Sequence, residues 1–148
     1  MKAFIVAALL TLAACSTGGP DTPRMTAVAG FDVDRLMGQW VEVGAVGRAP
    51  GGRWSFHDRE GDTLFLVRPG GENVVTAIDR GNGRLDFADA TGTLFVLWAD
   101  ADDRTLVLGR PDNRFGAILN KGGAIPPDRL RAAREIMVWN GYDAAEIR

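Results

Sequence analysis

The sequence is short of the residues that carry most enzyme chemistry, with one cysteine, one histidine and one tyrosine in 148 residues. A single cysteine excludes an intrachain disulfide, and no Cys or His spacing matches a metal site. No glycine-rich phosphate loop is present. The 17 Lys and Arg residues are scattered among 19 Asp and Glu residues, so no basic patch indicates nucleic acid. We therefore predict no metal, no cofactor, no nucleic-acid partner and no enzyme activity.

One group of titratable residues remains as a candidate for catalysis: His57, Asp58 and Glu60. Adjacent residues of a strand point to opposite faces, so the side chains of His57 and Asp58 do not converge. A solvated strand end is the simpler interpretation of this group.

The first fifteen residues, MKAFIVAALLTLAAC, have the layout of a secretory signal, with Lys2 before an apolar run and then small residues. The run is shorter than the roughly 20 residues that span a bilayer. LAAC, residues 12–15, resembles the bacterial lipobox, which implies removal of residues 1–14 and lipidation of Cys15. The alternative is an ordinary signal peptide that contains a cysteine by chance.

Residues 15–29 are predicted to form a flexible tether, because they are rich in Ser, Thr, Gly and Pro. The acyl chains implied by the lipobox resemblance would hold the tether firmly to the bilayer, because each buried CH₂ contributes ~0.8 kcal/mol. Ser16, rather than Asp, follows the cysteine. By analogy with enterobacterial sorting, this favours the outer membrane, and the periplasmic face is the expected side.

Residues 30–148 are predicted to form one domain, since the remaining length suits a single core. Period-two alternation predicts eight short strands separated by turn sequences such as RPGGEN, RGNG and RPDN. Such short connections favour an antiparallel up-and-down meander that closes into a barrel, with an open sandwich as the alternative. The predicted strands are 40–45, 53–58, 63–68, 73–79, 84–88, 93–99, 104–109 and 114–120.

A C-terminal α-helix is predicted to begin near Pro127 and to stop before Gly141. Leu130, Ala133 and Met137 lie at helical spacing and form one apolar stripe. We expect this stripe to pack on the outside of the barrel. A helix on a membrane surface is the alternative, but the polar face is not markedly basic.

The stretch FDVDRLMGQWVEVG, residues 31–44, resembles the opening motif of lipocalins, a short helical turn followed by Gly-x-Trp. Gly38 and Trp40 hold the two diagnostic positions. LWAD and ILNK, at 97–100 and 118–121, are similar to the second and third lipocalin motifs. The tail PPDRLRAAREIMVWNGYDAAEI resembles that of bacterial outer-membrane lipocalins, in the branch that also holds apolipoprotein D. The likeness covers nearly all of residues 31–147.

The lipocalin resemblance implies that Trp40 closes one end of the barrel, beneath the turn 34–37, with a cation from the last strand over the indole. Gly38 would allow the sharp turn into the first strand. Lys121 stands where the family usually has Arg, and it cannot stack as a planar fork. Arg110 or Arg35 is the alternative cation.

Alternation on each strand predicts which side chains face the barrel interior. Glu42 there would either orient a ligand head group or form an ion pair, with Lys121 or Arg110 as a possible partner. The predicted ligand-lining set suits a chain-like amphiphile, but would equally form a packed core. The set is Glu42, Gly44, Trp54, Phe56, Leu85, Phe87, Leu94, Val96, Trp98, Leu106 and Leu108.

Three functions from different classes follow from the sequence. The first is a membrane-anchored lipocalin that binds or carries a fatty acid or lysophospholipid. The second is a periplasmic protein-binding barrel with a filled interior, similar to small Gly-x-Trp barrels that inhibit proteases. Those inhibitor barrels carry a disulfide and no C-terminal helix, whereas this sequence excludes an intrachain disulfide and predicts a C-terminal helix. The third is an enzyme that isomerises or de-epoxidises its ligand, which the lack of converging titratable residues disfavours.

Overall fold

The computed structural model describes residues 25–70, 74–89, 91–122 and 124–148, with Asp58 described by its backbone alone. The predicted signal peptide, residues 1–14, and the lipidation site Cys15 lie outside the described residues. So do most of the predicted tether and Asn73, the first residue of one predicted strand.

Eight strands form a closed barrel, in which each strand pairs antiparallel with its neighbour in sequence. Because the last strand also pairs with the first, the predicted barrel is confirmed and the open sandwich was wrong. The strands are β1 Gly38–Ala45, β2 Arg53–Glu60, β3 Thr63–Val67, β4 Val75–Asp79, β5 Arg84–Phe87, β6 Thr93–Ala99, β7 Thr105–Gly109 and β8 Gly116–Asn120. A 3-10 turn, Val33–Leu36, precedes β1, and the helix α1, Pro127–Trp139, follows β8 before a second 3-10 turn, Ala144–Glu146.

The inward faces of the strands form one continuous apolar core. Trp40, Trp54 and Phe56 contribute aromatic rings that are 1%, 3% and 0% exposed. Leucines from most of the other strands fill the space between them. Much of the barrel interior is therefore occupied by its own side chains, as in other small barrels.

A bulge in β1 changes the orientation that was predicted for Gly44. The pairing with β8 shifts between Glu42 and Gly44, so Gly44 lies opposite Ile118. A Cβ atom on Gly44 would lie 2.8 Å from Cδ1 of Ile118, which packs in the cluster beneath α1. Gly44 thus faces the outside of the barrel, and its prediction as an interior residue was wrong because a bulge resets the alternation.

A second bulge, in β6, has the same effect on Trp98. The pairing with β7 shifts between Val96 and Trp98. Val96 remains in the interior core, whereas Leu97 and Trp98 both pack with the outer cluster. The prediction that Trp98 lines the interior was therefore wrong for the same physical reason.

The helix α1 covers the outer face of β6, β7 and β8. Ala133 and Met137 are fully buried against the sheet and Leu130 packs beside them, so the predicted stripe is the one that packs. Arg129 fixes the start of the helix through its guanidinium, 3.1 Å from the Asp100 carboxylate. Among the described residues, no helix has the length and apolarity needed to cross a bilayer.

Tyr142 fastens the segment after α1 to the barrel. Its hydroxyl donates a hydrogen bond to the Phe115 carbonyl (2.5 Å) and accepts one from the Arg110 backbone N–H (3.0 Å). Burial of the phenol raises the pKa of Tyr142 to about 12 from its usual 10. The neutral phenol is the form that fits this site, because an ionised oxygen could not donate to Phe115.

We expect the stability of the fold to decline as pH rises from 10 to 12. Only the unfolded state ionises its tyrosine in this window. The stabilisation that Tyr142 contributes to the folded state is therefore complete below pH 10 and lost at about pH 12. Because Tyr142 is the only tyrosine, the tyrosinate absorbance of the folded protein reports its pKa directly. A midpoint of the absorbance titration near pH 10 would contradict the buried, hydrogen-bonded phenol. Tyr142→Phe should remove the part of the stability decline above pH 10 that comes from tyrosine ionisation.

Candidate functional site

One end of the barrel is closed by Trp40. The Val33–Leu36 turn lies against the ring, and the indole N–H donates a 2.6 Å hydrogen bond to the Leu36 carbonyl. Gly38 has φ of +108°, a conformation that a side chain disfavours, and it turns the chain from the 3-10 segment into β1. Turn, glycine and tryptophan therefore form a single closing unit.

The cation over the Trp40 ring is Lys121, whose Nζ lies 4.6 Å from the ring centroid. The two arginines considered as alternatives have other positions. Arg35 stacks on Phe31 and pairs with Asp103, and Arg110 lies at the opposite end of the barrel. A compact ammonium thus occupies the stacking position at this closed end.

The opposite, open end contains a small cavity of about 120 Å³. Its walls come from residues at the ends of the strands and in the loops that connect β3 to β4, β5 to β6 and β7 to β8. Three of the lining residues are aromatic, and two of these, Phe87 and Phe115, are only half-buried. The lining residues are Trp54, Arg68, Phe87, Thr91, Leu94, Arg110 and Phe115.

Arginines cover the aromatic wall of this cavity. The guanidinium of Arg68 lies 5.1 Å from the Phe87 ring centroid, and that of Arg48 lies 5.7 Å from the Phe115 centroid. Arg110 also lines the cavity. Cations over aromatic faces are stabilised by the ring quadrupole, so guanidinium groups border the apolar wall at the rim.

Each rim arginine has an acidic partner. Arg68 pairs with Asp89, and the Arg110 guanidinium lies 3.3 Å from Asp112. The Thr91 hydroxyl, more than Arg68, holds the pKa of Asp89 below its usual range. Both acids lie in loops at the surface, so these pairs are open to exchange with another anion.

Glu42 is the buried charge of the site, with a side chain that is 0% exposed. Both of its oxygens bind the Arg48 guanidinium, and Oε2 also accepts a 3.1 Å hydrogen bond from the Trp54 indole. The carboxylate raises the pKa of Arg48 through this hydrogen bond. The partner is therefore Arg48, and not Lys121 or Arg110.

The predicted ligand-lining residues with apolar side chains in the interior divide into two groups by depth. Trp54, Phe87 and Leu94 line the cavity, while the deeper members fill the core. Sequence reasoning missed Arg48, Arg68, Thr91 and Phe115 as rim residues. Arg48 and Thr91 lie outside the predicted strands, where no alternation applies. Arg68 and Phe115 were predicted as strand ends, but they lie in loops in the structure. The deeper members are Phe56, Leu85, Val96, Leu106 and Leu108.

No group of three or more His, Cys, Asp and Glu side chains in the described part of the chain is placed to hold a metal ion. The arginines that line or cover the cavity, Arg48, Arg68 and Arg110, are each paired with a carboxylate. The arrangement offers an apolar wall bordered by guanidinium groups, which are features of a binding site.

The sequence matches no protein-family model and no curated protein, but the fold has similar solved structures. Lobster apocrustacyanin A1 aligns with a TM-score of 0.54 at 10% identity, over 84% of this chain and 89% of that one. Apocrustacyanin C2 aligns with a TM-score of 0.54 at 10% identity, over 83% of this chain and 88% of that one. Insecticyanin from the tobacco hornworm Manduca sexta aligns with a TM-score of 0.59 at 11% identity, over 85% of this chain and 83% of that one. These neighbours are lipocalins, so the chain has a lipocalin-type fold.

Proposed function

We propose that this protein is a membrane-anchored binding protein of the bacterial cell envelope that takes a small amphipathic ligand at the open end of its barrel. The observation that carries the proposal is the open-end cavity, with its aromatic wall and arginine rim. A fatty acid or a lysophospholipid combines the apolar chain and the anionic group that such a site recognises. The lipocalin-type fold of the neighbours supports a binding role rather than a catalytic one.

The size of the cavity defines how much of a ligand enters. At about 120 Å³, it is below the roughly 300–1,000 Å³ of sites for drug-sized ligands and close to the ~150 Å³ of a cavity that holds benzene. The end of an acyl chain fits this space. Entry of a longer segment requires Phe87 and Phe115 to move, and these are the half-buried wall residues.

The rim arginines are the groups that would bind an anionic head group. Arg68 and Arg110 lie beside the cavity, and their partners Asp89 and Asp112 are 35% and 40% exposed in the structure. A ligand carboxylate or phosphate would replace a surface carboxylate as the partner of the same guanidinium. Arginine binds both groups through two parallel hydrogen bonds.

The ligand proposal is tested by native mass spectrometry of delipidated protein with palmitate, a lysophospholipid and hexadecanol. We expect saturable one-to-one binding, with hexadecanol the weakest of the three. Phe87→Trp should reduce binding because it fills the cavity, whereas Phe95→Trp, the same change on the outer face, should not. Arg68→Gln should weaken the affinity for palmitate by about tenfold, the order expected for a lost charge-assisted hydrogen bond.

The anchor is a second part of the proposal, supported by the LAAC site behind an apolar run. We expect the mature protein to begin at Cys15, to carry acyl chains there and to reside on the periplasmic face of the outer membrane. Mass spectrometry of the membrane fraction checks the modified N-terminal peptide. A soluble protein whose fractionation does not change with Cys15→Ser would contradict the anchor.

A protein-binding barrel is the second candidate function, and one observation favours it. The side chains in the barrel core, such as Phe56, Leu66 and Leu106, are fully buried, which is what a barrel without an interior ligand requires. If none of the three amphiphiles binds at any concentration, this candidate becomes the leading one. Inhibition of secreted proteases by the purified protein is then the assay.

A further inference from the structure

The helix α1 presents an exposed face on the side away from the barrel. Trp139 is 75% exposed and Val138 is 41% exposed, although the preceding residue, Met137, is fully buried. Pro127, Arg131, Arg134 and Val138 recur at helical spacing along this face and, with Trp139, line a groove of about 400 Å³. An exposed indole beside an exposed valine is the largest apolar feature on this helix.

The described chain begins at the C-terminal end of this helix. The Thr26 backbone N–H donates a 3.0 Å hydrogen bond to the side-chain oxygen of Asn140, the residue directly after Trp139. Met25 packs on the outer cluster beneath the helix. Cys15 is ten residues before Met25, and a chain of ten residues spans at most about 35 Å. An acyl chain on Cys15 would therefore keep the C-terminal end of α1 within about 35 Å of the membrane, a distance that allows contact.

The face is not markedly basic, but it carries a small excess of positive charge. Arg131 and Arg134 line the groove and are exposed, and together they exceed the single charge of Glu135 beside them. Neither arginine has an ion-pair partner within the described residues, whereas Arg129 on the other side of the helix is engaged by Asp100 and Asp102. Each arginine near an anionic lipid surface increases binding by roughly fivefold.

We propose that this face of α1 docks on the phospholipid surface of the membrane that carries the Cys15 anchor, with Trp139 at the level of the head groups. Indole rings favour that level because one edge is polar and the body is apolar. The inference rests on the anchor in the proposed function and is independent of the ligand at the open end. Docking at the anchored end would fix the orientation of the barrel on the membrane.

The test uses the lipidated, full mature protein reconstituted into vesicles of phosphatidylcholine and phosphatidylglycerol, with plain or brominated acyl chains. Flotation of the vesicles reports the anchor, and quenching of tryptophan fluorescence by brominated lipid reports docking. We expect quenching in the wild type, its loss in Trp139→Phe and its retention in Trp98→Phe. Replacement of Arg131 and Arg134 together by Glu should reduce the quenched fraction, while the control Arg53→Glu, on β2 and outside the strands that α1 covers, should not.

The outcomes separate the two proposals. Wild-type protein that floats with the vesicles but shows no quenching by brominated lipid overturns docking and leaves the anchor intact. Absence of quenching together with protection of Trp139 from iodide also overturns it, since it points to a protein on this face. Protein that does not float removes the anchor and, with it, this inference.

Discussion

Trp40→Ala is expected to lower the free energy of unfolding by about 3–5 kcal/mol, the usual cost of truncating a buried tryptophan. Trp40 is 1% exposed and its indole N–H is bonded to the Leu36 carbonyl, so the change removes both packing and a hydrogen bond at the closed end. At roughly 4 °C per kcal/mol for a domain of this size, the melting temperature should fall by about 12–20 °C. Thermal unfolding followed by circular dichroism measures the shift.

Trp139→Ala is the matched control, because the same truncation there removes a ring that is 75% exposed. Its melting temperature should remain within a few degrees of the wild type, as for most surface substitutions. Equal melting temperatures for the two variants would show that Trp40 does not close the barrel. Lys121→Met should have a smaller effect than Trp40→Ala, of about 0.5–1 kcal/mol, since it removes only the cation over the ring.

Arg48→Met is expected to lower the free energy of unfolding by about 2–3 kcal/mol, because it leaves the Glu42 carboxylate buried without a cation. Breaking a fully buried pair costs ~3–5 kcal/mol, and the expected loss is lower here because Arg48 is 41% exposed and water can reach its place. The double variant Arg48→Met with Glu42→Gln should be more stable than Arg48→Met alone. The substituted amide would be neutral and would keep an oxygen for the Trp54 indole.

Chemical denaturation of the two single variants and the double variant measures this coupling as a double-mutant cycle. Arg114→Met is the control for loss of an exposed arginine and should change stability by less than about 0.5 kcal/mol. Additive effects would contradict the direct pairing of Glu42 with Arg48. If Arg48→Met had no effect, the carboxylate would not depend on its cation.

The fold could be predicted from the sequence because each strand carries a local signal. Turn sequences divide the chain into eight short segments, and such short connections leave few alternatives to neighbour-to-neighbour pairing. Gly38 and Trp40 could be recognised as a motif for the same reason, since they are two residues apart. The stripe of Ala133 and Met137 follows from helical spacing alone.

The features that could not be predicted depend on contacts between distant segments. The bulges that turn Gly44 and Trp98 outward are set by pairing with β8 and β7, and a strand sequence does not reveal where its partner shifts register. Arg48 lies in a loop, where no periodicity indicates that it returns to Glu42. Arg68 and Phe115 were predicted as strand ends, and only the closed barrel brings them to the same cavity.

The size of the interior was also beyond sequence reasoning. The same inward residues were compatible with a ligand cavity or a packed core, and the structure shows both, a filled barrel core and a small cavity at the open end. Whether the interior is a cavity or a packed core at a given position along the barrel axis depends on how the side chains of all eight strands interdigitate. This is a property of packing volume, whereas the sequence pattern specifies only orientation.

The most direct test of the central claim is an amide NMR titration of the delipidated protein with a lysophospholipid, because it reports both binding and its location. We expect saturable shifts in the open-end loops, at 46–52, 68–70, 88–92 and 110–115, with small changes around Trp40 at the closed end. A spectrum that does not change, or saturable shifts confined to α1, would contradict ligand binding at the open end of the barrel.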